Sequence, residues 1–175
     1  MEFDLCTGIT VRSGTVNAVL APEELAVTAI AGHNEFRRFR ILCVSSPSSR
    51  LVTGIRNASP NFDARTAGTA AELKGILEAA SHTVIFVEHN PAWYVRHEEM
   101  LPLVSHVLLG RARHALVILY TCEPDRTFDL LCRKADRVFF IVLPPVPVRH
   151  AARHRITGSR EALFRACQQR TLEVT

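Results

Sequence analysis

The chain has 175 residues, 47% of them hydrophobic, and 21 Lys and Arg set against 17 Asp and Glu leave a formal charge of +4. That length suits one domain with a sizeable core. Its apolar runs of about five to seven residues fall far below the roughly 18 to 20 that a membrane span needs, so no membrane partner is expected.

The start, Met1-Glu2-Phe3-Asp4-Leu5, is acidic where a secretory signal is positive, and no apolar region follows, so a cytoplasmic location is expected. Five cysteines (Cys6, Cys43, Cys122, Cys132, Cys167) are scattered without a C-x-x-C pair. They read as mostly buried free thiols, neither a zinc set nor a redox dithiol.

The first strand-like run covers residues 16–20. Pro22 then suits a first helical turn, with Glu23 and Glu24 placed to favour the helix dipole, and that helix should reach about His33. A second strand at 39–44 leads into the serines Ser45, Ser46, Ser48 and Ser49. Thr69 and Glu72 have capping-box spacing, and Leu73, Ile76 and Leu77 follow as an apolar stripe, predicting a helix to Ala80. The run at 83–88 is a third strand. A helix over 98–109 should end at Gly110, with Pro102 near its start.

The strand at 115–120 precedes a helix beginning near Asp125, which buries Phe128, Leu130 and Leu131 and exposes Arg133 and Lys134. The last central strand spans 137–142. Pro144, Pro145 and Pro147 end the pattern there, because proline cannot donate to a central ladder. Ser159 is a fair N-cap for a final helix through Glu161, Leu163, Phe164 and Cys167, with one apolar and one arginine-rich face. Runs such as Val84-Ile85-Phe86-Val87 and Leu116-Val117-Ile118-Leu119 mark strands buried on both faces. The expected fold is a three-layer α/β/α domain with a mainly parallel central sheet: a core over about 14–143 and a basic appendage over about 144–175.

This order of pieces resembles the RecA/KaiC-type ATPase core of recombinases and archaeal KaiC-like proteins. In that family the strand at 16–20 would lead into the phosphate loop, and the strand at 83–88 would carry the acid that supports magnesium. The family's loop reads G-x-x-x-x-G-K-[ST]. The matching stretch is Ala21-Pro22-Glu23-Glu24-Leu25-Ala26-Val27-Thr28, in which only Thr28 fits. Ala21 and Ala26 replace the glycines that let the backbone wrap phosphates, and Val27 replaces the lysine that neutralises them. Glu23 and Glu24 would repel phosphate, and Glu88 stands where an aspartate is usual. The resemblance therefore implies a degenerate phosphate loop, no nucleotide cofactor, and side-by-side assembly with a second copy or an active ATPase.

Ligands of open parallel sheets gather beyond the carboxyl ends of the strands. There Glu88, His89, Cys122 and Glu123 form a candidate acid-base or nucleophilic cluster, set against a plain helix-capping role for these loops. Ser45 to Ser49 could cradle an anion or form a solvated turn. His97 and His106 lack metal-binding spacing, so no metal site is expected. Trp93 and Tyr94 beside Arg96 suit either base stacking or loop packing, with packing favoured. Arg149, Arg153, Arg155, Arg160 and Arg165 are the candidate nucleic-acid contacts, since clustered arginine neutralises phosphates. Arg37, Arg38, Arg40, Arg111 and Arg113 add basic patches. The leading expectation is a non-hydrolytic regulatory or scaffolding protein acting through a protein partner or homo-oligomer. An accessory nucleic-acid-binding protein and an enzyme built on Glu88, His89, Cys122 and Glu123 are the alternatives.

Overall fold

The apolar runs pair side by side, and the helices between them cover both surfaces of the resulting sheet. The computed structural model describes residues 2–6, 9–32, 34–56, 59–142 and 168–171. The strands are β1 (Glu2–Cys6), β2 (Ile9–Arg12), β3 (Val16–Leu20), β4 (Ile41–Ser45), β5 (Phe62–Thr66), β6 (Val84–Glu88), β7 (Leu116–Thr121), β8 (Arg137–Val142) and β9 (Gln168–Thr171). The helices are α1 (Glu23–Gly32), α2 (Leu51–Ile55), α3 (Ala70–Ala79), α4 (Met100–Ala112) and α5 (Arg126–Cys132).

The main sheet has the order β5-β4-β6-β7-β3-β8-β9. Its first six strands run parallel, and β9 lies antiparallel along β8. Every residue of β4 and β7 is buried, as a parallel strand covered on both faces should be. Alternation sends Ala18, Leu42, Val44, Ile85, Val87, Val117 and Leu119 to the face packed by α3, α4 and α5. Val19, Ile41, Cys43, Phe86, Ile118, Tyr120 and Phe139 face α1, α2 and the hairpin β1–β2. Phe3 of the hairpin stacks on Phe36 at 5.0 Å and meets Phe39 edge-on at 5.4 Å.

Gly54 is a close-approach glycine: a Cβ there would lie 2.7 Å from a methyl of Val27, so α1 and α2 cross where one side chain is missing. The Thr69 hydroxyl caps α3 by accepting from Glu72 N–H at 3.2 Å, while the Glu72 carboxylate accepts from Gly68 N–H at 2.7 Å, one residue before the expected partner.

Three expectations change. Helix α4 does not stop at Gly110 but continues to Ala112, whose side chain is buried, and the chain turns only when His114 and Ala115 N–H both bond Arg111 C=O. Pro102 falls in its first turn, where a missing N–H costs no helical bond. Arg111 is not part of a free basic patch: its guanidinium bonds the carbonyls of Glu78 and Ala80 at the end of α3. The hairpin β1–β2 and the edge strand β5 are additions to the expected pattern. The expected helix from Ser159 lies outside the described residues, as do Arg149, Arg153, Arg155, Arg160 and Arg165.

Candidate functional site

The connections leaving β3 and β4 pass to one face of the sheet, and those leaving β6 and β7 pass to the other. Such reversals open a crevice beyond the carboxyl ends of the strands, where α/β proteins place their ligands. Here much of that edge is tied together. Ala21 N–H donates to Thr121 C=O at 3.1 Å, and Tyr120 O–H donates to Ala21 C=O at 3.1 Å. His89 N–H donates to Tyr120 C=O at 2.7 Å.

Between β3 and α1 stand only Ala21 and Pro22. Pro22 has no N–H, and its carbonyl already accepts from Leu25 and Ala26 at 3.0 and 3.2 Å. Ala26 and Val27 therefore sit within the helix, Ala26 buried and Val27 against Gly54. The Thr28 hydroxyl donates back to Glu24 C=O at 2.7 Å. Glu23 and Glu24 are exposed in the first turn, so the positive end of the helix dipole already faces two carboxylates.

The proposed cluster at the strand ends divides. Glu88 and His89 are adjacent in sequence, and alternation sends them to opposite faces. His89 goes to the α5 side. Its Nε2 lies 2.7 Å from Asp125 Oδ2 and 3.1 Å from Thr127 Oγ1, and its ring stacks on Tyr94 at 5.8 Å and meets Phe128 at 5.5 Å. A carboxylate only accepts, so Nε2 carries the proton. Burial pulls the imidazole below its usual pKa, and Asp125 opposes that only in part. Asp125 is also the N-cap of α5, accepting from Thr127 N–H at 2.7 Å and Phe128 N–H at 3.2 Å. Burial works against its ionisation, but the Thr127 hydroxyl, His89 and those N–H groups outweigh it and hold the carboxyl below its usual value.

Glu88 lies on the α1/α2 side and is half-buried. Burial raises its pKa first, the Ser49 hydroxyl pulls it down, and the Glu23 carboxylate raises it again. Cys122 and Glu123 are exposed, in a turn held by Thr121, whose hydroxyl donates to Glu123 C=O at 2.8 Å. Partial burial and the Glu123 carboxylate raise the Cys122 thiol, which disfavours the thiolate. Exposed Cys122 departs from the buried thiols expected; Cys43 is buried, and its pKa is pushed up to about 12 by desolvation. Glu88 thus shares its surroundings with Glu23 and Ser49, not with His89.

In the serine loop, Ser46, Ser48 and Ser49 have partners for their hydroxyls, whereas Ser45 Oγ is buried and has none. Ser46 and Ser48 Oγ are 3.2 Å apart, and Ser49 Oγ accepts from Leu51 N–H at 3.2 Å at the start of α2. Trp93 and Tyr94 are buried, and Trp93 Nε1–H donates to Ala67 C=O at 2.8 Å, so these aromatics pack a loop and offer no stacking surface. Asn90 caps their 3-10 turn through Ala92 N–H at 2.9 Å. His97 is exposed and paired with Glu99 at 3.1 Å, and His106 is exposed. Among the described residues no group of three or more His, Cys, Asp or Glu could hold a metal ion, and no helix is long and apolar enough to cross a membrane.

No family model matches the chain. It is 35% identical over 130 residues to an uncharacterised protein of Archaeoglobus fulgidus, spanning 73% of its own length and 65% of that relative's. Among solved structures, a KaiC-like protein of Pyrococcus horikoshii superposes with a TM-score of 0.58 at 14% identity, over 79% of this chain and 76% of that one. The flagellar accessory protein FlaH of Methanocaldococcus jannaschii superposes with a TM-score of 0.52 at 13% identity, over 78% and 74%. The core therefore has the RecA/KaiC-like α/β fold, with helices on both faces of a six-stranded parallel sheet.

Proposed function

We propose that the chain is a non-hydrolytic protein built on a RecA/KaiC-like core, with a degenerate phosphate loop, which regulates or scaffolds by assembling with another protein or its own copy. The observation that carries this reading is the two-residue passage from β3 into α1. A phosphate cradle needs a run of unengaged N–H groups and a cation. At this passage Ala21 N–H is bonded to β7, Pro22 has none, Leu25 and Ala26 N–H turn into the helix, and Glu23 and Glu24 occupy its end. Val27 supplies no charge where the family places lysine. Backbone, charge and the lengthened acid Glu88 all weigh against magnesium-nucleotide binding.

Assembly draws support from α4. Its solvent side carries Leu103 at 48% and Leu109 at 37% exposure, and Met100–Gly110 contains no carboxylate, ammonium or guanidinium. Val95, in the turn before it, is 64% exposed. Exposed large apolar side chains on a helix surface free of ionised groups are what a protein partner would cover.

Thermal unfolding with magnesium-ATP, ADP, single-stranded DNA and duplex DNA, beside sedimentation velocity over a concentration series, tests the reading. A ligand that selects the native state must raise the melting temperature. No shift with nucleotide, together with self-association that Leu103→Asp weakens, is the expected result. A magnesium-nucleotide shift would overturn it. A DNA shift reversed by salt would transfer the function to Arg149, Arg153, Arg155, Arg160 and Arg165.

A further inference from the structure

Leu73 and Leu77 of α3 pack with Leu42 of β4 and Ile85 of β6, whereas the edge strand β5 contributes no residue to that core. The corner left between β5 and α3 is a cleft of about 320 Å³. Leu42, Ile76, Ala79 and Ala80 form its apolar floor, and Asp63, Arg65 and His82 supply its polar groups. A concave, mainly apolar space of this size with a few convergent polar groups has the make-up of a small-molecule site.

Register explains that composition. Leu42 pairs with Asp63 and Val44 with Arg65, so alternation turns both charged side chains to the α3 side of the sheet. Arg65 gives its Nε to Asp63 Oδ2 at 3.2 Å, which leaves its two terminal nitrogens for another acceptor. His82 Nε2 stands 3.7 Å from the same carboxylate, beyond hydrogen-bond reach, and its buried Nδ1 has no partner. Burial, and then Arg40, hold this imidazole below its usual pKa, so it is uncharged at neutral pH. Arg40 and Arg65 therefore stand against one carboxylate, Asp63. Gly75 opens the wall of the cleft: it lies within α3, and a Cβ there would meet nothing within 4 Å. Neither conformation nor packing asks for glycine at this point, where it weakens the helix relative to alanine.

We propose that this cleft binds a small organic acid, with an apolar body of aromatic-ring size on Leu42, Ile76 and Ala79 and its carboxylate on the terminal nitrogens of Arg65. A guanidinium takes a planar carboxylate through two parallel N–H bonds. The surplus of positive charge offsets the nearby Asp63 and disfavours a cationic ligand. His82 precedes β6 and Leu42 lies near the start of β4, so the cleft sits toward the amino ends of the strands, away from the β3–α1 passage. It is independent of the nucleotide argument and of the assembly reading.

The test follows the backbone amide signals of the full chain by NMR during titration with phenylacetate, phenylacetamide and acetate. Phenylacetate should move the Arg65, Gly75 and Ile76 signals saturably at millimolar concentration. Phenylacetamide keeps the ring and loses the charge, acetate keeps the charge and loses the ring, and each should bind about tenfold more weakly or worse. Arg65→Gln, on an exposed stretch of the edge strand, should weaken phenylacetate about tenfold, as expected for a hydrogen bond between charged groups. Gly75→Leu should abolish the saturable shift by filling the cleft, with a melting temperature equal to wild type or higher, because it replaces a glycine inside a helix. If Gly75→Leu does not fold, Arg65→Gln decides. The proposal is overturned by no saturable shift with phenylacetate, by shifts confined to other residues, by equal binding of the amide or of acetate, or by binding indifferent to either variant.

Discussion

Replacing Asp125 by Ala should be among the most damaging single changes at the strand ends, because one carboxylate does two jobs. It caps α5 through Thr127 and Phe128 N–H, and loss of such a cap costs about 1 kcal/mol, up to about 2. It also accepts from His89 Nε2, whose side chain has no exposed surface. Leaving that buried donor with only the Thr127 hydroxyl to bond costs a further 1 to 2 kcal/mol, roughly. The sum, about 2 to 4 kcal/mol, is a large part of the roughly 5 to 15 kcal/mol that holds a domain together. For a chain of this size it should lower the melting temperature by about 5 to 15 °C. Chemical denaturation of Asp125→Ala, His89→Phe and the double variant separates the two parts. His89→Phe keeps a ring between Tyr94 and Phe128 and removes the donor, so the double variant should cost less than the sum of the singles by about 1 to 2 kcal/mol. Additivity within about 0.5 kcal/mol, or a loss below about 1 kcal/mol for Asp125→Ala, would refute the coupling.

Other consequences follow from the same geometry. The folded chain holds His89 below its usual pKa of 6.5, so at pH below that value the unfolded chain takes up the proton more readily. Its contribution is intact above the usual value and declines as pH falls through 6.5 toward the folded pKa; His89→Phe should flatten that limb of a stability-pH profile. Glu88 has the opposite sign: its folded pKa lies above 4.5, so stability is lost as pH rises through that range, and Glu88→Gln should unfold at a higher temperature than wild type at neutral pH. Gly54→Ala should destabilise, by up to about 3 kcal/mol, because the new methyl meets stiff Val27, and adding Val27→Ala should recover most of the loss in denaturant titrations. Trp93→Phe should cost about 1 to 3 kcal/mol by leaving the buried Ala67 carbonyl without its donor.

The central strands were legible because being covered on both faces forces a continuous apolar run, as in Val84-Ile85-Phe86-Val87 and Leu116-Val117-Ile118-Leu119. β5 was not, since an edge strand tolerates Asp63 and Arg65 and its pairing to β4 is a non-local fact. Capping chemistry was readable at Thr69 and Asp125, where residue type and spacing suffice. It failed at Gly110, where packing of Ala112 and the Arg111 bonds to α3 outweigh a local stop signal. At the site, period-two alternation already implied that Glu88 and His89 part company once they were placed on a strand end. The match of His89 to Asp125 and Thr127 was hidden, because it joins groups more than thirty positions apart. Ser45 carried one readable signal, a hydroxyl ending a wholly buried strand.

The central claim is that the β3–α1 passage cannot hold a nucleotide. Calorimetric titration of the full chain with ATP in excess magnesium tests it most directly, since magnesium-ATP at about 100 times its dissociation constant would add about 2.7 kcal/mol of native-state stability if a cradle existed. The account predicts no saturable heat at millimolar ATP, and none after Glu23 and Glu24 are changed to Gln. A saturable isotherm in the unaltered chain, lost when Ala21, Ala26 and Val27 are replaced by bulkier residues, would contradict it.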